Sequence, residues 1–533
     1  MTRLVNVRCI GPLLWTTCLL VVPAVSQSEA VQLSPADVSN YNLLKEFAKQ
    51  QAGEPFTPRQ PLPKALADLS YEQFREIQFN HERAPWQDKV PFWFETFHRG
   101  YVQQDRVDLF GVEGEEVERF EFSKDDFDYG EAIDRDTIPD DLGHAGVRIV
   151  GKFPGRDDVQ EMLTFVGSSY FRARSGETVY GASARGLAVN VAMNQDEEFP
   201  FFRRFWILKP SRCDETVTVL AQLDSPSLTG AYQFYFRPGT IESTLRVQAT
   251  LYAREQPPED AVGVEKLGVA PLTSMWIWGD GLDGPPKDNR PGVHDSDGLL
   301  IESGEAGWVW RPFTRQPYPS TSFRSVRALL GFGILQRNRA FFHYEDYNAK
   351  YHLRPSIWIT PDQPWLDGRV ELLEIPGAHE GIDNIAAYWV PSKLPEPGEP
   401  LELGYSVKFF PGDVSAENYV GRATNFHIDR ELPDDQIGLQ IRFAGLALQQ
   451  QPSDRAVDIS AEIRDGTLIE QQVQRTETGD YLLDVTFKPS GDGPVDLSLR
   501  LVDGSRPLTE LFSYLCPRDQ PEFVYPSVYT RQE

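Results

Sequence analysis

The chain has 533 residues, which exceeds the length of one ordinary domain core, so at least two domains are expected. Hydrophobic residues make up 40% of the chain and charged residues 25%, a globular composition that excludes a disordered protein. The 79 Asp and Glu residues outnumber the 52 Lys and Arg residues, and the resulting net charge of −27 repels phosphate backbones, so nucleic acid is excluded as a partner.

Residues 1–30 have the pattern of a secretory signal peptide. Arg3 and Arg8 precede an apolar run, and small residues follow at cleavage spacing, so the mature protein is predicted to start near Gln27 or Val31. The run contains prolines and is shorter than the roughly 20 apolar residues of a spanning helix, so the processed protein is predicted not to span the membrane; an uncleaved anchor is the alternative. The lack of a twin-arginine pair predicts Sec-type export of the unfolded chain.

Helical signals are concentrated in residues 40–90. Apolar residues with helical spacing at 43–48 predict a short amphipathic helix. Ser70 stands three residues before Gln73, which predicts a capping box at the start of another helix.

From about residue 105 the apolar pattern changes to the period of strands. Alternating apolar residues at 232–236 and 245–251 predict half-buried antiparallel strands. Long stretches of this kind, with few helical gaps, favour one large β-sandwich over residues 31–391.

A proline-rich break at 392–400 predicts a linker between two domains. The ten residues from Pro391 contain four prolines and have no apolar periodicity. Beyond the linker, alternation at 495–501 predicts further short strands, so residues 401–533 fit an immunoglobulin-like sandwich.

Cysteine and histidine patterns predict neither a metal nor a cofactor. Cys213 and Cys516 remain after removal of the signal peptide, and the sequence is compatible both with a disulfide and with two unpaired thiols. The eight histidines form no HExxH motif, and the DxDG motif at 295–298 lacks the Glu of a calcium loop.

Acidic and aromatic residues crowd into residues 274–389. The segments WIWGDG and WVW lie in the same stretch as HDSDG, HYEDY and HEGIDN. Pyranose faces stack on aromatic rings, sugar hydroxyls bind carboxylates, and glycoside cleavage needs two carboxyl groups. These residues therefore indicate a carbohydrate site; the alternative is that the rings are sandwich core and the acids are solvated turn residues.

Six segments in one order carry a resemblance to a known family. They are SSYFRARSGETVYGASARGLAV at 168–189, EEFPFFRRFW at 197–206, LGVAPLTSMWIWGDG at 267–281, VHDSDGLLIESGEAGWVWRPF at 293–313, GFGILQRNRAFFHYEDYNAKYHLRPSIWITP at 331–361 and VELLEIPGAHEGIDNIAAYWVP at 370–391. On these segments the chain resembles the periplasmic glucan biosynthesis proteins G and D, which act on osmoregulated periplasmic glucans. The resemblance implies a mainly β fold, with a large galactose-mutarotase-like β-sandwich followed by a smaller immunoglobulin-like β-sandwich.

The resemblance also implies a function and a set of site residues. Members are similar to inverting endo-β-1,2-glucanases, so binding and cleavage of β-1,2-linked glucan are expected. By position in the motifs, Asp383 is the expected general acid and Asp295 the expected general base, with Asp297 as a weaker candidate for the base. The expected contacts to the glucan are Glu380, Tyr351, Asp297, Trp276, Trp278, Trp308, Tyr344 and Asp346.

The local sequence around the two aspartates predicts different environments for them. Asp383 stands among apolar neighbours, which favours the protonated form that an acid needs. Asp295 stands in the polar run HDSDG, where it is expected to stay ionised.

Two other function classes compete with a glucanase. One is a non-catalytic glucan-binding scaffold that assists backbone release or branching and works with the membrane glucan synthase machinery. The other is a sugar epimerase or mutarotase, by analogy of fold alone.

Two departures from the family's pattern lie near the expected site: Gly292 replaces a Glu, and Tyr347 with Asn348 replaces Leu-Glu. The lack of a twin-arginine signal favours the G-like member.

Overall fold

The computed structural model describes residues 32–520 except 132, 260, 286, 378, 395–398, 415–419 and 453–454. The predicted signal peptide and the centre of the predicted linker lie outside the described residues. Within the described ranges, no helix is both long enough and apolar enough to cross a membrane.

Short helices lie near the N-terminus of the described chain. The helix Tyr41–Ala52 starts after Asn40, whose side chain accepts the N–H groups of Asn42 and Leu43, and it buries Leu44, Phe47 and Ala48 as the apolar spacing predicts. The capping box between Ser70 and Gln73 is confirmed. The other α-helices are Lys64–Ala67, Tyr71–Arg75 and Leu446–Gln449. Single 3₁₀ turns are Pro35–Asp37, His81–Arg83, Lys124–Asp126, Arg135–Thr137, Phe341–His343 and Tyr351–Leu353.

The chain is mainly β, as predicted, and most of its strands belong to one large twisted sheet system. In the first 410 residues these strands are Phe92–His98, Asp108–Glu113, Glu116–Phe120, His144–Gly151, Gln160–Val166, Tyr170–Ala173, Ser183–Arg185, Leu187–Val189, Phe201–Leu208, Val217–Asp224, Leu228–Arg237, Ser243–Ala253, Leu267–Ser274, Gly298–Ser303, Gly307–Pro312, Ser320–Leu335, Ser356–Pro361, Trp365–Glu374, Ile385–Pro391 and Leu401–Phe410. The strand Ser243–Ala253 buries Leu245, Val247, Ala249 and Leu251 on one face, so its predicted alternation is confirmed. Two small separate pairs are Gln78–Phe79 with Phe127–Asp128 and Trp276–Trp278 with Val293–His294.

The C-terminal part forms a smaller two-layer sandwich. One layer contains Arg422–Asp429, Ile437–Ala444, Tyr481–Pro489 and Gly466–Arg475. The other contains Asp458–Arg464, Val495–Asp503, Arg506–Pro507 and Leu511–Cys516. Leu483 and Val485 of the first layer and Leu497 and Leu499 of the second share one buried core. The alternation predicted at 495–501 is therefore confirmed, whereas the immunoglobulin-like arrangement stays a prediction.

The strand that follows the predicted linker pairs with strands of the large sheet, and the domain boundary at residue 401 stays a prediction. The strand Leu401–Phe410 pairs with Ser243–Ala253 on one side and with Ser356–Pro361 on the other, so it belongs to the large sheet. The strands Ile385–Pro391 and Leu401–Phe410 belong to the same sheet, and the next described strand, which starts at Arg422, pairs within the smaller sandwich.

Neither cysteine forms a disulfide. Cys213 is exposed, and Cys516 is buried in the core of the smaller sandwich. Burial raises the pKa of the Cys516 thiol to about 11, so this thiol stays protonated and unreactive at neutral pH.

The two parts are joined by strand pairing and by a buried arginine. Val309 and Trp310 pair in parallel with Leu511 and Phe512, so the large sheet continues into the smaller sandwich. Arg337 lies between the two parts, 2.7 Å from the carboxylate of Glu510 and 2.9 Å from that of Asp413. Its guanidinium also lies 3.6 Å from the centre of the Trp310 ring.

The Arg337→Ala substitution is predicted to lower the free energy of unfolding by about 3–5 kcal/mol, because it leaves the buried carboxylate of Glu510 without its cation, whereas Asp413 keeps Arg422 at 2.9 Å. Urea denaturation measures this change. Arg237→Ala is the matched control, since Arg237 pairs with Glu215 at the exposed surface, and its cost should stay below about 1 kcal/mol. Equal costs for the two variants would contradict the structural role of Arg337.

Candidate functional site

Asp295 and Asp383 lie on loops at the same end of the sheet. The strands Leu267–Ser274 and Ile385–Pro391 are antiparallel neighbours in which Ser274 is opposite Ile385, so Asp383 lies just beyond their shared end. The pair Trp276–Trp278 and Val293–His294 follows at this end and delivers Asp295 to it. Residues distant in sequence are therefore brought to one position by strand pairing.

The side chain of Asn384 fixes the relative positions of these loops. Its Oδ1 accepts the Trp276 N–H at 2.8 Å, and its Nδ2 donates to the carbonyls of Trp276 at 2.9 Å and Ile375 at 2.8 Å. Its backbone N–H donates to the Ser274 carbonyl, and the Asp295 N–H donates to the carbonyl of Met275 at 2.8 Å. Asp295 and Asp383 are therefore attached to the same three-residue segment, 274–276.

Asp295 is buried, with 7% of its surface exposed. Its Oδ1 has no hydrogen-bond partner among the described residues, and the Arg354 Nε lies 3.5 Å away. Burial raises the pKa of Asp295 to about 6; the positive charge of Arg354 opposes this shift, and the negative charge of Asp383 adds to it. The sequence predicted a polar turn around Asp295, whereas the structure buries this side chain; with a pKa of about 6 it still is mostly ionised at neutral pH.

Asp383 is half-buried and has one fixed oxygen. The Thr273 hydroxyl donates to its Oδ2 at 2.6 Å. Because the charge of Asp383 acts on Asp295, the two carboxylates are electrostatic neighbours, as a pair that works on one bond must be. Asp383 is the more accessible of the two to a ligand.

Glu380 is held by a tyrosine and an arginine. The Tyr351 hydroxyl donates to its Oε2 at 2.5 Å, and Arg290 donates to both carboxylate oxygens at 2.7 and 3.0 Å. Burial raises the pKa of Glu380, but the bonds from Arg290 and Tyr351 outweigh it and hold the pKa below its usual value. Glu380 is therefore an ionised, oriented acceptor beside Asp383.

Asp346 supports this cluster from the neighbouring loop. It accepts the N–H groups of Asn348 and Ala349, both at 2.8 Å, and it also accepts Arg290 at 2.8 Å. Asp288 accepts Arg290 as well, at 2.6 Å. Arg290 thus joins three carboxylates, and Asp346 orients the arginine that orients Glu380.

The tryptophans expected to stack on sugar are mostly core residues. Trp276 and Trp278 are buried in the large core, and Tyr344 is buried with its hydroxyl donating to the Asn338 carbonyl. Trp308 stacks on Trp358, with ring centres 5.8 Å apart. Trp276, Trp278 and Tyr344 therefore present no exposed ring face to a sugar in this structure, whereas Trp308 is half-buried.

Asp297 points away from Asp295, toward the junction with the smaller sandwich. Its Oδ2 accepts the backbone N–H groups of Arg337 and Asn338. It lines a cavity of about 20 Å³, room for one water, together with Asp280 and Phe426. Burial raises the pKa of Asp280 to about 7, the charge of Asp297 adds to the shift, and the Phe426 N–H opposes it. Asp297 therefore holds the backbone at this junction through hydrogen bonds.

Sequence reasoning missed Arg290, Arg354 and Thr273. All three stand inside or beside the matching segments, but nothing local distinguishes them from other surface residues, because their partners are 90, 59 and 110 residues away. Gly292, where a Glu is expected from the resemblance, has no room for a side chain: a Cβ there would lie 2.9 Å from the His343 carbonyl. The Glu could not be added without moving that loop.

Comparison with known families identifies the chain. A model of the family described as periplasmic glucan biosynthesis protein, MdoG, matches residues 40–516. The chain belongs to the MdoG family. The matched range contains both carboxylates and the tyrosine that binds Glu380. The name of the MdoG family implies a periplasmic role in glucan biosynthesis.

A solved structure of a GH36 alpha-galactosidase, AgaB from Geobacillus stearothermophilus, is a distant neighbour. The two chains are 9% identical, the alignment covers 52% of this chain and 40% of that chain, and the TM-score is 0.26. Less than half the length of the galactosidase is therefore matched, and the similarity carries no inference about activity.

The free energy of unfolding of the Asp280→Asn variant is predicted to increase relative to that of the parent protein as pH rises from about 5 to about 8. The folded protein binds the Asp280 proton more tightly than the unfolded chain does, so the parent loses stability as pH rises through about 7. Urea denaturation at several pH values measures the difference. Asp157→Asn, at an exposed position, is the control and should follow the parent; a pH-independent difference for Asp280→Asn would contradict the account.

Proposed function

We propose that this protein binds and cleaves β-1,2-linked glucan during the synthesis of osmoregulated periplasmic glucans, by an inverting acid and base mechanism. The single observation that carries the proposal is the buried Asp295 carboxylate, whose Oδ1 has no hydrogen-bond partner among the described residues, held beside the half-exposed Asp383. A buried carboxylate oxygen that accepts no hydrogen bond is costly in a protein, so it indicates a group kept for a ligand or water.

Asp295 is proposed as the general base. With a pKa of about 6 it is mostly ionised at neutral pH, yet it is a stronger base than an ordinary aspartate. The positive charge of Arg354 stabilises the Asp295 anion. Arg354 is itself held in place because its guanidinium donates to the carbonyls of Ala349 and Tyr180. A water bound at the free Oδ1 would lose its proton to Asp295 as it attacks the anomeric carbon.

Asp383 is proposed as the general acid. Thr273 holds its Oδ2, which leaves Oδ1 to meet the glycosidic oxygen. A glucan in contact with this half-exposed group would exclude water from it and favour its neutral form, the form that can donate a proton to the leaving sugar. In an inverting reaction the water enters from the opposite face, so the two carboxyl groups serve different faces of one ring.

The Glu380 cluster is proposed to bind sugar hydroxyls next to the scissile bond. Glu380 stays ionised and partly exposed, so it can accept a hydroxyl proton while Tyr351 and Arg290 hold it in place. Asp346 acts through Arg290 as a positioning residue.

A glucan-binding scaffold without turnover is the second candidate. The close contact of Gly292 with the His343 carbonyl favours it, because the Glu expected at this position is missing and cannot be accommodated. In that case the same site would present glucan to the membrane synthase machinery for backbone release or branching.

Export by the predicted signal peptide is part of the proposal. Processing near Gln27 or Val31 would release the chain into the periplasm, where the glucan is assembled. The periplasm named by the family and the signal pattern of residues 1–30 support this location.

Asp383→Asn and Asp295→Asn should each lower the rate of reducing-end release from linear β-1,2-glucan by about 100-fold or more, because each removes one proton transfer. Asp383→Asn should still bind glucan, since the amide preserves size and hydrogen bonding.

In the parent, the rate of reducing-end release should rise with pH through about 6 as Asp295 ionises. Arg354→Gln should move this rise to higher pH, because it removes the cation that favours the Asp295 anion.

Asp157→Asn, an exposed aspartate, serves as the control and should keep the parent's rate and pH profile. Full activity in either site variant would remove that residue from the mechanism. No reducing-end release by the parent, together with glucan binding that Glu380→Ala weakens, would favour the scaffold.

A further inference from the structure

A groove lies where the large sheet continues into the smaller sandwich. The strand Gly307–Pro312 pairs with Leu511–Cys516, which pairs with Val495–Asp503, which in turn pairs with Asp458–Arg464. The first part of the strand Ser320–Leu335 borders the same face. Together they enclose about 490 Å³, within the range of about 300–1,000 Å³ usual for small-ligand sites. We call this space the junction groove, and it has no lining residue in common with the candidate site.

On the strands of the smaller sandwich, alternation decides which side chains enter the junction groove, whereas the long strand contributes the consecutive residues 322–325. Residues two apart share a face, so one face of the smaller sandwich forms its core while the other contributes polar side chains. The polar residues that line the groove are Ser322, Arg324, Ser325, Ser460, Glu462, Arg464, Asp496, Ser498, Ser513 and Arg311. Side chains that are buried or half-buried, Leu299, Ile301, Val309 and Leu511 among them, supply apolar surface between these groups.

The charges of the junction groove cancel. Arg311 is neutralised beneath it by Glu374 at 2.8 Å. That leaves Arg324 and Arg464 against Glu462 and Asp496, two positive and two negative charges. Arg324 is in the electrostatic field of Asp496 and Glu462, on strands of the smaller sandwich across the groove. An anion would meet the carboxylates and a cation would meet the arginines, so the arrangement favours an uncharged ligand.

An uncharged ligand for this groove must both donate and accept hydrogen bonds. The arginines donate, the carboxylates accept, and the serine hydroxyls do either. At the rim, Phe323 is 66% exposed and presents an aromatic ring. Sugar rings combine hydroxyls at their edges with apolar faces, which match this combination of groups.

We propose that the junction groove is a second carbohydrate-binding site, which holds an uncharged oligosaccharide segment apart from the Asp295 and Asp383 site. The inference rests on the proposed function only for the choice of β-1,2-glucan as the ligand. A chain held here would stay bound to the protein while another segment enters or leaves the candidate site.

The test is isothermal titration of linear β-1,2-gluco-oligosaccharides into the Asp383→Asn protein, with and without Phe323→Ala and Arg324→Ala together. Two classes of site are expected, and the double substitution should weaken one of them at least tenfold while the other is unchanged. Tyr71→Ala with Arg237→Ala is the matched control, an exposed tyrosine and an exposed arginine elsewhere, and should keep both classes.

Ser460→Trp gives an independent block, because Ser460 is exposed on its strand and a large side chain there would fill the groove without entering the core. It should remove the same class of site. A single class of site in every variant, or two classes that neither change affects, overturns the proposal. So does light scattering in which the parent is a dimer that these changes dissociate, since the groove would then hold a second copy of the chain.

Activity measured separately distinguishes this inference from the proposed function. The groove variants without Asp383→Asn should release reducing ends from short oligosaccharides at the parent's rate. If the parent releases reducing ends but has one class of site, the groove proposal fails alone. If the parent releases none and the groove variants still lose one class of site, the proposed function fails and the groove stands.

Discussion

The hydrogen bonds of Asn384 are the constraint on which the candidate site depends. This side chain is buried and uses its oxygen and both amide hydrogens on the backbone of Trp276 and Ile375, so each of its polar groups is satisfied. The same segment, 274–276, accepts the N–H of Asp295 through Met275. One amide thus sets the relative position of two carboxylates separated by 88 positions in the chain, and a rigid arrangement of this kind is what an acid and base pair requires.

Burial then gives the two carboxylates different properties. Asp295 is enclosed, faces Arg354 and has a raised pKa, whereas Asp383 is open to a ligand and held by Thr273. Around them, Arg290 pairs with three acidic side chains, so this cluster keeps a net negative charge. The result is a polar site built on strand ends, with its aromatic residues used as core beneath it rather than as its walls.

The sequence predicted those features of the fold that depend on residues close together in the chain. Alternation at 245–251, the capping box at Ser70 and the mainly β fold were all predicted correctly, because each depends on neighbours within a few residues. Properties set by distant partners were not predictable. The position of Asp295 depends on its backbone hydrogen bond to Met275, the core position of Trp276 on strand packing, and the place of residues 401–410 on pairing with Ser243–Ala253. The family resemblance predicted which residues form the site, but their burial and their hydrogen-bond partners could be seen only in the folded structure.

The central claim is that Asp295 and Asp383 hydrolyse a β-1,2-glucosidic bond with inversion. The most direct test is proton NMR of the products formed in the first minutes from linear β-1,2-glucan, before mutarotation mixes the anomers. The account predicts that the α-anomer of the new reducing end forms first, and that it does not form with Asp295→Asn or Asp383→Asn. Initial formation of the β-anomer, or inverted product at the parent's rate from either variant, would contradict it.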